Sequence, residues 1–122
     1  MSKILFVEDE QALQKTLGDL LRGEGYNVIS AFDGETGLKM VKSEKPDLVL
    51  LDLILPKMHG FDVLKQVKED SETQDIPLIV LTNLEGMGDV EKALELGATT
   101  YLVKANYSLD EVLAKVRKAL GE

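Results

Sequence analysis

Five short segments rich in apolar residues recur along the chain, and a longer segment of mixed polarity follows each one. The sequence predicts strands at Ile4–Val7, Tyr26–Ala31, Leu48–Leu51, Leu78–Leu81 and Thr99–Val103. The run at Leu48–Leu51 contains no polar residue. Such a run is typical of a strand covered on both faces, as in a parallel sheet between two layers of helices.

The segments between these runs carry apolar residues at helical spacing, which predicts a helix after each strand. The marker residues are Leu13, Leu17, Leu20 and Leu21 in the first helix, Leu38 and Val41 in the second, Phe61, Leu64 and Val67 in the third, and Val90, Ala93 and Leu94 in the fourth. The fifth helix begins at a capping-box pattern, Ser108-x-x-Glu111. Its predicted inward residues are Leu109, Val112, Leu113, Val116 and Leu120.

Strands and helices that alternate with short connections favour right-handed crossovers and a parallel sheet. We therefore predict one α/β domain over residues 1–122, with a doubly wound five-stranded parallel sheet and helices on both faces. A sheet of this kind commonly has the strand order 2-1-3-4-5, and its switch point lies between the first and third strands.

Composition excludes several classes of function. With 22 acidic and 14 basic residues the formal net charge is −8, which argues against direct nucleic-acid binding, because attraction to phosphates dominates that affinity. The sequence has no cysteine, so disulfides, thiolate chemistry and cysteine-based zinc sites are excluded. No segment has the apolar length of a signal peptide or a membrane span, which predicts a cytoplasmic protein that does not bind membranes.

Polar residues with catalytic or metal-binding potential stand where the predicted strands end. Glu8 and Asp9 follow the first strand, and Asp52 follows the third. Thr82 and Lys104 come at the ends of the fourth and fifth strands. Because ligands of doubly wound sheets bind beyond the carboxyl ends of the strands, at the switch point, the three carboxylates are predicted to flank one crevice.

This set of groups fits a phosphoryl site that contains a metal ion. Neighbouring carboxylates repel each other, and oxygen ligands alone suit Mg²⁺ or Mn²⁺ better than zinc. A carboxylate can also act as a nucleophile towards phosphorus, and Asp52 is the central one. The alternative is that the acids only favour the positive start of the first helix, that Lys104 pairs with an acid, and that Thr82 simply ends a strand.

The motifs together resemble those of a response-regulator receiver domain, the phospho-accepting half of bacterial two-component signalling. The resemblance runs essentially end to end. It is carried by V-E-D-E at 7–10, P-D-L-V-L-L-D at 46–52 with Pro56 and Gly60 beyond it, L-T at 81–82, G-A at 97–98 and Y-L-V-K at 101–104. It implies a flavodoxin-like receiver fold.

The resemblance also implies roles for the acidic residues. Asp52 would accept a phosphoryl group from the phosphohistidine of a sensor histidine kinase or a phosphotransfer protein. Asp9 and Asp52 would bind Mg²⁺ directly, together with the backbone carbonyl of Ile54, and Glu8 would act through water. The domain would catalyse its own phosphoryl acceptance and slow dephosphorylation, and would be a signalling domain rather than an enzyme.

The remaining site residues are implied to sense the phosphoryl group. Thr82 and Lys104 would contact it. Movement of Thr82 would be coupled to Tyr101, and this would change the face formed by the fourth helix, the fifth strand and the fifth helix. An output partner, or a second copy of the chain, would bind that face.

Several positions depart from the family pattern. Asn83 stands where a small residue is usual, and Ala105 replaces the usual proline after Lys104, which makes a cis peptide there costly by about 3 kcal/mol. Ile54 and Leu84 occupy the positions that would orient an attacking water, and both are apolar. His59 stands where an acid is common.

Other classes of protein fit the sequence less well. A haloacid-dehalogenase-like phosphatase needs a second Asp two residues after the nucleophile, where this chain has Ile54. A flavin phosphate would be repelled by Glu8 and Asp9. The alternative that remains is a receiver-fold interaction module that works without phosphorylation, and Mg²⁺ binding would discriminate between the two.

Overall fold

The computed structural model describes residues 2–122, and within them it has five strands and five α-helices in strict alternation. The strands are β1 Lys3–Val7, β2 Asn27–Ala31, β3 Leu48–Leu51, β4 Leu78–Thr82 and β5 Thr100–Val103. The helices are α1 Gln11–Gly23, α2 Gly34–Glu44, α3 Gly60–Glu69, α4 Met87–Glu95 and α5 Leu109–Ala119, and a short 3-10 turn covers Lys104–Asn106. The predicted strand bounds differ from these by one residue at most.

The five strands form one parallel sheet in the order β2-β1-β3-β4-β5, which confirms the predicted topology. In the register of β1 and β3, Val7 lies opposite Leu51, so the two strands end level with each other. Because the order of the chain reverses between these strands, α1 and α3 leave the sheet on opposite faces and a crevice opens between β1 and β3.

Two apolar layers, one on each face of the sheet, form the core. Leu5 and Val7 of β1 pack with residues of α2, α3 and α4, whereas Ile4 and Phe6 of the same strand pack with α1 and α5. Successive residues of a strand point to opposite faces, so a strand covered on both sides needs apolar residues throughout. This explains the unbroken run at Leu48–Leu51, all of which is buried.

Side-chain caps define the starts of three of the helices. Asp33 caps α2 by accepting a hydrogen bond from the Thr36 N–H at 2.7 Å, and the predicted capping box of Ser108 and Glu111 opens α5. One predicted core position is wrong. Leu109 is 37% exposed, because it is the first residue of α5 and lies at the end of the apolar face, beyond the part that the rest of the fold covers. No helix within residues 2–122 is long and apolar enough to span a membrane.

Helix α4 should be the most readily opened element of the fold. Its N-cap, Gly86, provides no side-chain hydrogen bond, and Ala93 is its one buried residue among those that the structure describes. Helix α5 has a capping box and buries three residues. Few buried contacts lower the free energy of local opening. We expect faster amide hydrogen exchange across residues 84–91 than across 109–117.

The variant Gly88→Ala provides a control for that measurement. A methyl group at this position would meet no atom within 4 Å, and alanine favours a helix interior by about 1 kcal/mol relative to glycine. The substitution should slow exchange in α4 and leave α5 unchanged. Slower exchange in wild-type α4 than in α5 would contradict the prediction.

Candidate functional site

The acidic residues of the site lie one or two positions beyond the ends of β1 and β3. The Glu8 N–H donates to Ala31 O at 2.9 Å, and the Asp52 N–H donates to Val7 O at 3.0 Å. The sheet hydrogen bonding therefore continues one residue past each strand. It holds the backbones of both residues before the chain turns away into loops.

The structure brings the three predicted carboxylates together. Carboxylate oxygens of Glu8, Asp9 and Asp52 all lie within 4.8 Å of one another. Glu8 and Asp52 are buried, whereas Asp9 is exposed and so leaves the cluster open to solvent. The cluster fits a hard cation, since its donors are all oxygens and one side can keep water ligands.

Lys104 lies between the two buried carboxylates. Its Nζ is 2.7 Å from Glu8 Oε1 and donates a hydrogen bond to Asp52 Oδ2 at 2.9 Å. The contact with Glu8 is an ion pair without hydrogen-bond geometry, and Glu8 Oε1 accepts no hydrogen bond from residues 2–122. One cation thus serves two buried anions, and the site keeps unsatisfied negative charge.

Burial changes the proton affinities of this cluster. Burial, with a smaller effect of the Asp52 charge, raises the pKa of Glu8 from its ordinary value of 4.5 to about 7, although Lys104 and the Glu10 N–H act in the opposite direction. Burial alone would lower the pKa of Lys104, but the close contacts with Glu8 and Asp52 and the charges of these two carboxylates outweigh it and raise that pKa. Lys104 therefore stays charged, and Glu8 changes charge near neutral pH.

The loop after β3 packs closely against Asp52. The Ile54 N–H donates to Asp52 Oδ1 at 3.1 Å, while the Ile54 side chain is 51% exposed beside the site. Gly60, where α3 begins, donates its N–H to Leu53 O at 2.8 Å. A side chain at Gly60 would overlap the Leu53 backbone and Asp52 O. The glycine therefore allows α3 to start directly against the site.

Thr82 and Tyr101 are linked through the loop between β4 and α4. Thr82 is fully buried at the end of β4, and its Oγ1 lies 3.5 Å from the Leu84 N–H. The Tyr101 hydroxyl donates to Leu84 O at 2.7 Å, and burial raises its pKa, so that it remains a donor. Both residues thus contact the backbone of Leu84.

The departures from the family pattern have different structural consequences. All peptide bonds between residues 2 and 122 are trans, so the chain passes from Lys104 to Ala105 without a cis bond and enters the 3-10 turn directly. Asn83 is exposed. His59 caps α3 by accepting from the Phe61 N–H at 3.2 Å, and its ring stacks on that of Phe61 with centroids 5.3 Å apart. His59 therefore has a structural role as the cap of α3.

Sequence reasoning missed one polar residue next to the site. Gln14 lies on the buried face of α1, three residues before Leu17 and seven before Leu21. Its side-chain nitrogen donates to the backbone carbonyl of Glu8 at 3.1 Å. The available signal was a glutamine at helical spacing among leucines, since a polar residue on an apolar face usually has a bonding partner.

Comparison with known proteins gives the family that the sequence motifs resemble. The family model of the response regulator receiver domain matches residues 4–117. The chain is 42% identical over 118 residues to the alkaline phosphatase synthesis transcriptional regulatory protein PhoP of Bacillus subtilis, and the match covers 97% of this chain and 48% of PhoP.

Solved structures show the same fold. A CheY-like response regulator receiver domain protein from Methanospirillum hungatei is 26% identical with a TM-score of 0.92, and the match covers 99% of this chain and 94% of that one. The receiver domain of sensor histidine kinase PA1611 from Pseudomonas aeruginosa, solved with a magnesium ion in its active-site cleft, is 27% identical with a TM-score of 0.88, covering 99% and 98%.

The family assignment rests on the match along nearly the whole chain and on the shared fold. The chain spans about half or less of the length of the curated relatives it matches. Those relatives are named as regulators of transcription and as response regulators. The chain belongs to the response-regulator receiver family of two-component signalling.

Proposed function

We propose that this chain is a phospho-accepting switch in which Asp52 receives a phosphoryl group from the phosphohistidine of a histidine kinase or a phosphotransfer protein. The observation that carries the proposal is the position of Lys104, whose Nζ bridges buried Asp52 and Glu8 at the switch point of the sheet. A cation held at that place can neutralise charge that arrives on a phosphoryl group. Receiver domains are signalling domains rather than classical enzymes.

The transfer needs only positioning and charge neutralisation by the protein. An Asp52 oxygen forms a bond to phosphorus as the bond from phosphorus to the donor imidazole nitrogen breaks, and the bonding electrons remain with that nitrogen. Lys104 is placed to exchange its bond with Asp52 for one with a phosphoryl oxygen. Thr82 is the hydroxyl proposed to bind another phosphoryl oxygen.

Receiver domains bind Mg²⁺ in an acidic pocket, and this chain has such a cluster in Glu8, Asp9 and Asp52. We infer that Asp9 and Asp52 hold the ion directly with the Ile54 carbonyl, and that Glu8 acts through a water ligand. When bound, the ion would neutralise negative charge on the phosphoryl oxygens. The magnesium ion described for the PA1611 receiver domain supports this inference.

The output is proposed to pass through Tyr101 to the face of α4, β5 and α5. Tyr101 and Thr82 both contact the Leu84 backbone, so a shift of Thr82 towards a phosphoryl group would disturb the bond that holds Tyr101. The partner is an output protein or domain, or a second copy of this chain. Residues 1–122 are proposed to act as one domain.

The function is tested by labelling with a small-molecule phosphodonor. Acetyl phosphate and Mg²⁺ should add one acid-stable, base-labile phosphoryl group to wild type and none to Asp52→Asn, as measured by intact mass. The control Asp62→Asn alters an exposed acid in the first turn of α3 and should label normally. Absence of labelling in wild type would favour an interaction module that works without phosphorylation, and labelling of Asp52→Asn would refute the acceptor assignment.

Metal binding should depend on pH because of Glu8. At a hundredfold excess over its dissociation constant, Mg²⁺ should raise the free energy of unfolding by about 2.7 kcal/mol. Folding raises the pKa of Glu8 from 4.5 to about 7. Without Mg²⁺, the raised pKa of Glu8 therefore contributes to the free energy of unfolding. This contribution is fully present below about pH 4.5 and is lost as the pH rises through about 7. Bound metal favours the ionised carboxylate, so the increase in melting temperature caused by Mg²⁺ should be larger at about pH 8 than at about pH 6.

The variant Glu8→Gln isolates that effect. It carries no titrating group at this position, and the metal-free protein should therefore lose part of its pH dependence between about pH 5 and pH 8. An identical Mg²⁺-induced shift of the wild-type melting temperature at both pH values would contradict the role assigned to Glu8.

A further inference from the structure

A buried glutamine ties helix α1 to the acidic loop, which we define as Glu8–Glu10. Gln14 is only 5% exposed. Its Nε2 lies within hydrogen-bond distance of three backbone carbonyls: Phe6 O at 2.9 Å, Glu8 O at 3.1 Å and Ala31 O at 3.1 Å. All three carbonyls stand at the carboxyl ends of β1 and β2, where the chain leaves the sheet. One side chain therefore joins both strands to the first turn of α1.

We infer that Gln14 is a positioning residue for the metal site, acting through the backbone of Glu8. The Glu8 carbonyl belongs to the peptide unit that connects Glu8 to Asp9, so a bond to it orients the plane from which both carboxylates project. The N–H of Glu8 is already held by Ala31 O at 2.9 Å. With Gln14 in place, both backbone polar groups of Glu8 are fixed, and the Glu8 side chain is directed towards Lys104.

The contacts also decide which way the amide of Gln14 faces. A rotated amide would direct Oε1 at three carbonyl oxygens and would give them no hydrogen. In the observed orientation Oε1 is buried and accepts no hydrogen bond from residues 2–122. A buried acceptor without a partner costs free energy, which an apolar side chain of the same shape would avoid. The Nε2 donor of Gln14 is therefore the group that matters, and it holds the backbone of the acidic loop.

The inference rests on the proposed Mg²⁺ site, and its experiment separates the two. Wild type, Gln14→Met and Gln14→Leu are titrated with Mg²⁺, and the dissociation constant is read from backbone amide shifts by NMR. Both variants carry an apolar side chain of about the size of glutamine and lack the N–H donors. Removal of a residue that orients metal ligands typically weakens metal affinity by about tenfold to a hundredfold. We expect a loss in that range, and faster metal-free amide exchange at residues 8–10.

Two further variants make the result specific to Gln14. Val116→Ala removes buried volume from α5, in the apolar layer that α1 and α5 share. The valine side chain makes no hydrogen bond to the acidic loop. The variant should therefore destabilise the fold but leave the Mg²⁺ dissociation constant unchanged. Gln14→Arg keeps N–H donors, and an open surface groove of about 330 Å³ lies beside Gln14; this variant should bind Mg²⁺ more tightly than Gln14→Met.

The outcomes are distinct. Wild type that binds no Mg²⁺ would overturn the proposed metal site, while exchange at residues 8–10 would still decide whether Gln14 holds the loop. Wild-type affinity and exchange in both donor-free variants would overturn the inference about Gln14. So would an equal loss of affinity in Val116→Ala, because general destabilisation would then explain the effect.

Discussion

Replacement of Lys104 by methionine should lower the free energy of unfolding by about 3–5 kcal/mol, the usual cost of removing one partner from a buried ion pair. Glu8 is 0% and Asp52 is 4% exposed, and the Lys104 Nζ lies within 3 Å of an oxygen of each. Methionine fills a similar volume but leaves two buried carboxylates without their cation. Chemical denaturation at about neutral pH measures the loss.

The pH dependence of the stability of Lys104→Met shows whether the buried carboxylates cause the loss. Proton uptake by Glu8 removes one of the two buried charges, and its pKa is already raised to about 7 in wild type. The loss in Lys104→Met should therefore be largest above about pH 7 and should shrink as the pH falls towards 5. Mg²⁺ should restore more stability to the variant than to wild type, because it supplies the missing positive charge.

An exposed ion pair serves as the matched control. Lys3 Nζ lies 3.1 Å from Glu44 Oε1, and both side chains are about a third or more exposed. Lys3→Met should cost less than about 1 kcal/mol. If Lys104→Met and Lys3→Met lost the same free energy of unfolding, the buried ion pairs of the site would contribute no more to stability than an exposed pair.

The phosphorylated form should be long-lived. Hydrolysis needs a water molecule held in line with phosphorus, opposite the Asp52 oxygen. The resemblance to receiver domains assigns this task to the positions of Ile54 and Leu84, whose side chains offer no hydrogen bond. Ile54 is exposed beside Asp52, and the Leu84 carbonyl is occupied by Tyr101 at 2.7 Å. Both side chains are therefore expected to shield the acyl phosphate.

Polar replacements at these two positions should speed the loss of the phosphoryl group. We expect Ile54→Asn and Leu84→Gln to increase the decay rate on the order of tenfold to a hundredfold, the range in which a positioned reactant is gained or lost. Decay is followed in the presence of Mg²⁺ after removal of the donor. Ile54→Val, which stays apolar, should decay at the wild-type rate.

Asn83 provides the competing explanation and a direct check. Its exposed amide could orient a water molecule in place of residues 54 and 84. If it does so, Asn83→Ala slows the decay. Unchanged or slower decay in both polar variants would contradict the shielding argument.

The arrangement of the strands and the place of the acids could be predicted from the sequence. The apolar runs and helical periods are local patterns, and the handedness of strand–helix–strand crossovers is general. Together they place Asp52 after the central strand and Glu8 and Asp9 across the switch point. The capping box of Ser108 and Glu111 is equally local, because its hydrogen bonds join residues three apart.

The contacts between side chains of distant elements were decided only by the tertiary structure. The position of Lys104 between two particular carboxylates and the burial that raises the pKa of Glu8 depend on how β1, β3 and β5 end against one another. The role of Gln14 was not visible because its acceptors belong to two strands outside α1. Leu109 follows the apolar period of α5 and yet faces solvent. Periodicity states which face of a helix is apolar, but only the packing of the whole fold determines how far along the helix that face is covered.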